Sequence, residues 1–554
     1  MSDAVVIGAG PNGLVAANLL IDAGWEVTVL ESNAQPGGAV MSRDDVFDGA
    51  VIDVCSGFYP LAVVSRAIQT LDLERYGLRW CHAPIVLAHP LEDGSCPVLS
   101  RDLDETAASM DALERGDGDA WRRLYGLWDK VGDPLLDALF TPFPPAVVGA
   151  QLAARLRMAG VLRLARFGIL PVRRLLEEEF SGPGGLILAG CALHADLAPE
   201  SAGSGFFGWI LAMLGQQHGW PVVQGGAGRL AGALATRLIE NGGILRCNER
   251  ATSVVIRKGR AVAVRTSLGE EVVACRAVLA DVVAPVLYDE LLAGEDIGAS
   301  TADDLRRFQW DWATFKVDWL LDGEIPWRAP SADRAGTVHL GATLDELTAF
   351  SAQLAMGRVP DNPFLLLGQM NTADPTRSPT GTSTIWGYTH VPRAVRGDAG
   401  DAGLTGSWDS SEVQVLADRI ENKIERFAPG FRGRITARSV LSPRDLESHD
   451  ANLVGGGING GTAALHQQLC FRPYPGLGRP ETPIPGLYLA SSSAHPGGGV
   501  HGACGANAAR AALRAQTPAG KLGGAFLRWA RQRASAGGEI ARSWSPSEPG
   551  AQAR

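Results

Sequence analysis

Lysine is scarce in this chain. Of 50 basic residues only five are Lys (Lys130, Lys258, Lys316, Lys423 and Lys521), and the rest are Arg. We read that bias as compositional. A basic surplus is lacking too: the formal net charge is -10. This argues against a nucleic-acid binder, which presents a basic patch to phosphates. Paired C-x-x-C spacing is absent among Cys55, Cys81, Cys96, Cys191, Cys247, Cys275, Cys470 and Cys504. That excludes a zinc site of this kind and a thioredoxin-type dithiol. The cysteines read as core residues, so neither a disulfide framework nor a metal is expected. Long apolar runs are missing as well. The strongest, at 206–214 (FFGWILAML), is too short to cross a bilayer. No basic, apolar leader precedes the strand-like run that opens at Ala4, so a cytoplasmic location is expected.

What is present is ordinary globular composition, 46% hydrophobic and 20% charged over 554 residues. That length calls for two or three lobes. The informative residues lie at the two ends. Residues 4–7 form a short apolar run stopping at Gly8-Ala9-Gly10-Pro11-Asn12-Gly13. Residues 12–23 carry Leu14, Ala17, Leu20 and Ile21 near helical spacing, and Gly24 ends that helix. Residues 26–30 form a second apolar strand, closed by Glu31 and Ser32. A lone G-x-G-x-x-G is weak. With a strand before it, a helix after it and an acid closing the next strand, it predicts a dinucleotide-binding unit. Gly8 permits the tight turn, Gly10 lets backbone approach a pyrophosphate, and Gly13 lets helix and strand pack. The helix N-terminus offers N–H groups and partial positive charge to phosphates. Glu31 suits an unphosphorylated ribose, in FAD or NAD rather than NADP. Gly37-Gly38 then allow a turn under the flavin side of the pyrophosphate, which a plain NAD enzyme does not need. The cofactor expected is FAD.

The other end carries Ser491-Ser492, then His495-Pro496-Gly497-Gly498-Gly499-Val500-His501-Gly502, between an apolar strand at 486–490 and a helix at 506–515. Glycine there brings backbone N–H groups against a ligand unobstructed. The helix N-terminus would face the flavin edge where negative charge builds on reduction. Gly497 to Gly502 also spells G-x-G-x-x-G. Six residues separate it from the strand and no acid-ended strand follows, so it is not a second nucleotide unit. Gly226-Ala227-Gly228 after Val222-Val223 is a rival NADP site resting on only two apolar residues.

Between the ends the signals thin out. Residues 70–220 are rich in helix signals. The stretch 135–180 sets Arg155, Arg157, Arg163, Arg166, Arg173 and Arg174 among Leu, Val and Ala. It reads first as helices with a solvated basic face, and alternatively as a membrane-surface helix admitting a lipid-soluble substrate. Near Trp220 the character returns to α/β. A helix is expected at 229–241 and a strand at 244–247. A hairpin is expected at 253–257 and 261–265 around Lys258-Gly259, and a further strand at 272–279. Residues 286–440 yield no assignment.

At 5–13, 29–39, Trp220-Pro221 with Gly225-Gly226, Gly455-Gly456-Gly457-Ile458-Asn459, and Thr482-Pro483 through Leu487-Tyr488-Leu489 into 495–509, the chain resembles bacterial phytoene-desaturase-like flavoproteins. It resembles in particular the branch of pyridine nucleotide-disulfide oxidoreductase domain proteins. The resemblance implies an α/β chain with α+β character in an inserted part. A discontinuous Rossmann-type FAD-binding domain would carry a substrate domain, as in monoamine-oxidase and phytoene-desaturase folds. The FAD domain would take 1–70, 221–285 and 440–515, and the substrate domain 71–220 and 286–439. A helix and disordered tail would follow at 516–554. Gly8, Gly10, Asn12, Gly13, Glu31, Ser32, Gly37, Gly38 and Ala39 would line the ADP half of FAD. Ala251 would offer backbone to the adenine. Ser491, Ser492, Gly498, Gly499 and Val500 would lie near the ribityl chain and ring. Ser491-Ser492 stands where amine oxidases carry Gly-Asp, which points away from that branch.

The flavin itself takes the hydride, so the protein need only orient a C–H bond and supply one acid or base. His501, beside the expected ring position and able to titrate near neutrality, is the first catalytic candidate. Asn459 and Tyr59 follow. His495 reads as loop structure and Cys504 as a small buried residue. The expected activity is an FAD-dependent dehydrogenase, desaturase or oxidase taking hydride from an apolar substrate, isoprenoid or lipid. Oxygen, a quinone or another carrier would be the electron acceptor. A flavin amine or alcohol oxidase on a small metabolite, and a non-catalytic FAD-binding interaction protein, are the alternatives. Peripheral membrane contact goes with the leading reading, no nucleic-acid partner is expected, and the oligomeric state is not legible.

Overall fold

Alternating apolar and polar runs assemble two seven-stranded sheets, and the helices cover them. The computed structural model describes residues 2–518 and 520, apart from 477. Of the helix and tail expected at 516–554, residues 519 and 521–554 lie outside the described residues.

The first sheet has a parallel centre. Strands Ile244–Arg246, Val27–Leu30, Ser2–Ile7, Glu271–Ala280 and Leu487–Leu489 lie side by side. Ala4, Val5 and Val6 have no exposed surface, as expected of parallel strands covered on both faces. The helix Pro11–Asp22 begins with Pro at its first turn, where no N–H partner is lost. It packs against the helix Ala503–Ala515. The two backbones approach so closely that a Cβ on Gly505 would sit 1.8 Å from the Asn12 carbonyl oxygen. The hairpin forms as Ala251–Arg257 and Arg260–Thr266. Its two-residue turn puts Lys258 and Gly259 at φ 52° and 70°, the left-handed geometry such turns need. Glu271–Ala280 pairs with this hairpin by its first half and joins the parallel centre by its second.

Residues 286–440, where periodicity yielded no assignment, supply most of the second sheet. Its order is Ile435–Leu441, Ala313–Leu321, Ser383–Val391, Leu365–Gln369, Ala335–Leu340, Ile85–Ala88, Val98–Leu99. Along Ala313–Leu321 the side chains alternate. Phe315, Val317, Trp319 and Leu321 share one core with Leu416, Ile420, Ile424 and Phe427 of the helix Ser410–Phe427. Thr314, Lys316 and Asp318 take the opposite face, because successive residues of a strand point to opposite sides. The antiparallel neighbour sets His390, Tyr388 and Trp386 opposite them.

Helices Asp117–Phe140, Ala146–Ile169, Val172–Glu179, Leu186–Leu193 and Ser204–His218 build a third layer. The apolar run at 206–214 lies inside Ser204–His218, with Trp209, Met213 and Leu214 fully buried. Among the described residues no helix is long and apolar enough to cross a membrane.

Candidate functional site

Two cavities meet where the sheets face each other. One, of about 620 Å³, runs along the carboxyl ends of the parallel strands past Gly8, Gly38, Glu31, Ser32 and Ala251. The other, of about 290 Å³, extends from Asn12, Ala39, Ser491, Ser492, Gly499 and Val500 to the polar face of the second sheet. Gly10, Asp281, Asp450 and Asn452 line both, so together they form a waist. Crevices at strand carboxyl ends are where open α/β sheets bind ligands.

At the waist the glycine loop is tightly fitted. A Cβ on Gly10 would lie 2.9 Å from Asp281 Oδ2, and one on Gly13 would lie 2.2 Å from the Gly8 carbonyl oxygen. Asp281 Oδ2 accepts the Gly13 N–H at 2.7 Å. Burial pushes the Asp281 carboxyl up to about 8 and the Asp450 carboxyl up to about 6. Glu31 is buried, and its carboxylate accepts the Ala9 N–H at 2.8 Å, the Asn33 N–H at 2.8 Å and the Ser32 hydroxyl at 3.2 Å. Gly13, Gly37 and Gly498 line neither cavity. Gly13 and Gly37 fit against backbone, and Gly498 against Asn459, whose Oδ1 would lie 2.6 Å from an added Cβ.

The far wall comes from the second sheet and the helical layer: Thr314, Lys316, Thr337, Trp386, Tyr388, His194, Leu211 and Trp220, with Phe58 closing one side. The Trp386 and Tyr388 rings stack at 21°. Lys316 and Asp318 form a buried ion pair, at 3% and 1% side-chain exposure. Burial raises the Asp318 carboxyl, and the neighbouring ammonium opposes that rise. Asn12 Oδ1, Thr314 Oγ1 and Thr337 Oγ1 are buried without a hydrogen-bond partner, and all three residues line this cavity. Orphaned polar atoms converging on one space point to a ligand. A dinucleotide with a flavin ring fits the pair of cavities: a Cβ would obstruct the loop at Gly10, and unpaired donors and acceptors lie further in.

Of the three catalytic candidates the cavity holds one. Asn459 lines it. Its N–H donates to Asp311 at 2.7 Å and its amide to Asp196 at 3.0 Å. Asp196 also lies 3.0 Å from His390 Nε2. Tyr59 is not at the cavity. It is 1% exposed, its ring packs on Trp80, and its hydroxyl is bonded to Ser56. Phe58 and Pro60 take the wall on either side. His501 does not line the cavity either. Its Nδ1 accepts the N–H of Ala503 at 3.0 Å, and its ring packs on Phe140. Burial holds its imidazole down to about 4, so it is neutral near pH 7 and serves the following helix as a cap. His495 bonds the Thr141 carbonyl and Cys504 the carbonyls of Ala494 and Gly497, which are loop-holding roles. All eight cysteines are free thiols.

Residues 6–68 match the model of an NAD(P)-binding Rossmann-like domain. Pyridine nucleotide-disulfide oxidoreductase domain-containing protein 2 of Rattus norvegicus is 30% identical, over 92% of this chain and 93% of its own length. The chain belongs to this family. A neurosporene-forming phytoene desaturase of Rhodobacter capsulatus is 23% identical, covering 90% of this chain and 91% of its own. In fold, the chain resembles putrescine oxidase, with a TM-score of 0.58, 16% identity and coverage of 92% and 98%. The protein is an FAD-dependent oxidoreductase.

Several lining residues of this oxidoreductase escaped the sequence reading. Asp281 closes its strand as Glu31 closes the earlier one, and that parallel was the available signal. Thr314, Lys316, Trp386 and Tyr388 recur at every second position of two apolar strands. Arg472 is 2% exposed and donates to the carbonyls of Asn459, Thr462 and Ser492. It ties the Asn459 turn to the Ser491–Ser492 loop, and nothing local in the sequence marks it.

Proposed function

We propose that this oxidoreductase takes hydride from an apolar substrate, isoprenoid or lipid, held in the inner cavity, and that the cofactor spans the waist. The carrying observation is the inner wall, where the rings and aliphatic groups of Phe58, Leu211, Trp220, Trp386 and Tyr388 stand together beside Thr314, Thr337 and the Lys316 end of a buried ion pair. Aromatic and aliphatic walls stabilise apolar ligands by roughly 25 cal/mol per Å² removed from water. In this reading Gly8, Glu31, Ser32, Gly38 and Ala251 hold the adenosine half. Gly10, Asn12 and Ala39 hold the pyrophosphate, and Ser491, Ser492, Gly499 and Val500 the flavin half. Gly13, Gly37 and Gly498 shape the backbone behind them. In this reading the FAD domain is composed of 1–70, 221–285 and 440–515, and the substrate domain of 71–220 and 286–439.

FAD, when bound, supplies a two-electron acceptor for hydride. The chain's residues do the remainder. The aromatic wall excludes water and orients the C–H bond. Asn459, fixed by Asp196 and Asp311, keeps a polar contact at the cavity edge. Lys316 lines the cavity already paired with Asp318. Oxygen, a quinone or another carrier would be the electron acceptor. The protein works in the cytoplasm, at the membrane periphery where apolar substrates reside.

Anaerobic mixing of the holoprotein with a panel of isoprenoid hydrocarbons and small primary amines tests this. Bleaching of the flavin absorbance by an isoprenoid is expected. Bleaching by amines alone would overturn it.

A further inference from the structure

We propose that the helix Ala146–Ile169 docks this protein on an anionic lipid bilayer. The proposal deepens the reading of an apolar substrate by naming the surface that delivers it, and rests on that reading only for its purpose.

None of the 24 residues of Ala146–Ile169 is buried, and the segment is two helical runs joined at a break at Arg157 (φ 55°, ψ 173°). Val147, Met158, Leu162 and Ile169 are 72%, 74%, 64% and 61% exposed, where soluble helices keep such side chains inward. Among them stand Arg155, Arg157, Arg163 and Arg166, and the helix has no Asp or Glu. It is a basic segment on a chain of net charge -10. Arg166 is paired with Glu178. Arg155, Arg157 and Arg163 have no ion pair among the described residues. Three acids on the flanking helices are already engaged: Glu178 also by Arg174, Glu179 by Arg123, and Asp137 by Arg66.

Unpaired guanidinium groups interleaved with exposed Met, Leu, Ile and Val match one partner chemistry: phosphate headgroups with acyl chains beneath them. A nucleic acid would satisfy the arginines and leave the apolar side chains in water. The inner side of the helix points the same way. Phe167 packs edge-on against Trp209 at 5.0 Å. Trp209 and Leu211 belong to the helix Ser204–His218, and Leu211 lines the inner cavity. The docking helix therefore lies one helix away from the wall of the substrate chamber.

Flotation of the holoprotein with two vesicle types tests this: phosphatidylcholine alone, and phosphatidylcholine mixed with phosphatidylglycerol. The protein is expected to float with the mixed vesicles at low salt and to remain below with phosphatidylcholine. Each basic residue near an anionic surface contributes about a factor of five, so Arg155→Glu with Arg157→Glu and Arg163→Glu lowers partitioning by about a hundredfold or more. Met158→Asp with Leu162→Asp lowers it through the apolar part. These positions are exposed, and retained flavin colour checks that the variants are folded. Failure of the wild type to float with mixed vesicles, a triple variant that floats equally well, or preferential retention by RNA would overturn the proposal. A colourless wild type that still floats would uphold docking and count against the cofactor assignment instead.

Discussion

The parallel sheet and the antiparallel sheet meet across one ligand space, yet they contribute by different means. The parallel sheet lines it with backbone: tight turns at Gly8 and Gly10, a helix start at Pro11, and two buried carboxyl groups, Glu31 and Asp281, holding the loop through N–H groups. The antiparallel sheet recognises with side chains projected from one face, Thr314 and Lys316 opposite His390 and Tyr388. Backbone recognition constrains sequence, because only glycine satisfies it. Side-chain recognition places no such demand on the backbone, so it leaves no comparable mark in the sequence.

The comparison can be broken most severely at Gly10. Gly10→Val would push a branched side chain into Asp281 and the waist, and is expected to leave the protein folded and colourless. Absorbance of the purified variant checks this, with a loss in FAD affinity above about a hundredfold, matching a steric cost of several kcal/mol.

The second sheet breaks at its buried charges. Lys316→Met leaves Asp318 uncompensated and is expected to cost about 3–5 kcal/mol in chemical denaturation. The double variant Lys316→Met with Asp318→Leu should lose less than the single, since removing both partners of a buried pair can be near neutral. A double loss equal to or larger than the single would show that the pair does not act as one unit.

A smaller effect separates the two regions by pH. Asp281, raised to about 8 by burial, binds its proton more tightly folded than unfolded. Its stabilisation is complete below the ordinary carboxylate range and is lost as pH rises through about 8. The apoprotein should therefore melt lower as pH goes from about 6 to about 9, and Asp281→Asn should flatten that slope. FAD affinity should fall in the same direction, since an ionised Asp281 would face the pyrophosphate. A melting temperature indifferent to Asp281→Asn would refute this account of the waist.

The smallest effects fall on the two withdrawn candidates. Tyr59→Phe removes hydrogen bonds to Ser56 and should cost about 1 kcal/mol, with flavin reduction unchanged. His501→Gln should leave the pH–rate profile unaltered between about 5 and 8; a lost inflection there would restore a catalytic role.

These residues also mark how far the sequence could be read. The strand–glycine–helix–strand unit at 4–31 was legible because each glycine answers to a backbone demand and Glu31 closes the pattern. The hairpin at 251–266 was legible from Lys258-Gly259. Tyr59 and His501 misled because adjacency to a cofactor motif says nothing of direction: one side chain turns into the core, and the other accepts the N–H two residues ahead. Thr314, Lys316 and Asp318 alternate with apolar residues in a stretch that yielded no assignment from sequence. Only the facing sheet reveals that its polar side encloses a ligand space. Arg472 was hidden because its carbonyl partners lie 10 to 20 residues away in loops.

The central claim is that FAD spans the waist at Gly10 and Asp281. Chromatography of the cofactor released by heating purified wild type and Gly10→Val tests it most directly. The account predicts stoichiometric FAD from the wild type and none from the variant. A nicotinamide nucleotide in place of flavin, or a Gly10→Val protein fully loaded with FAD, would contradict it.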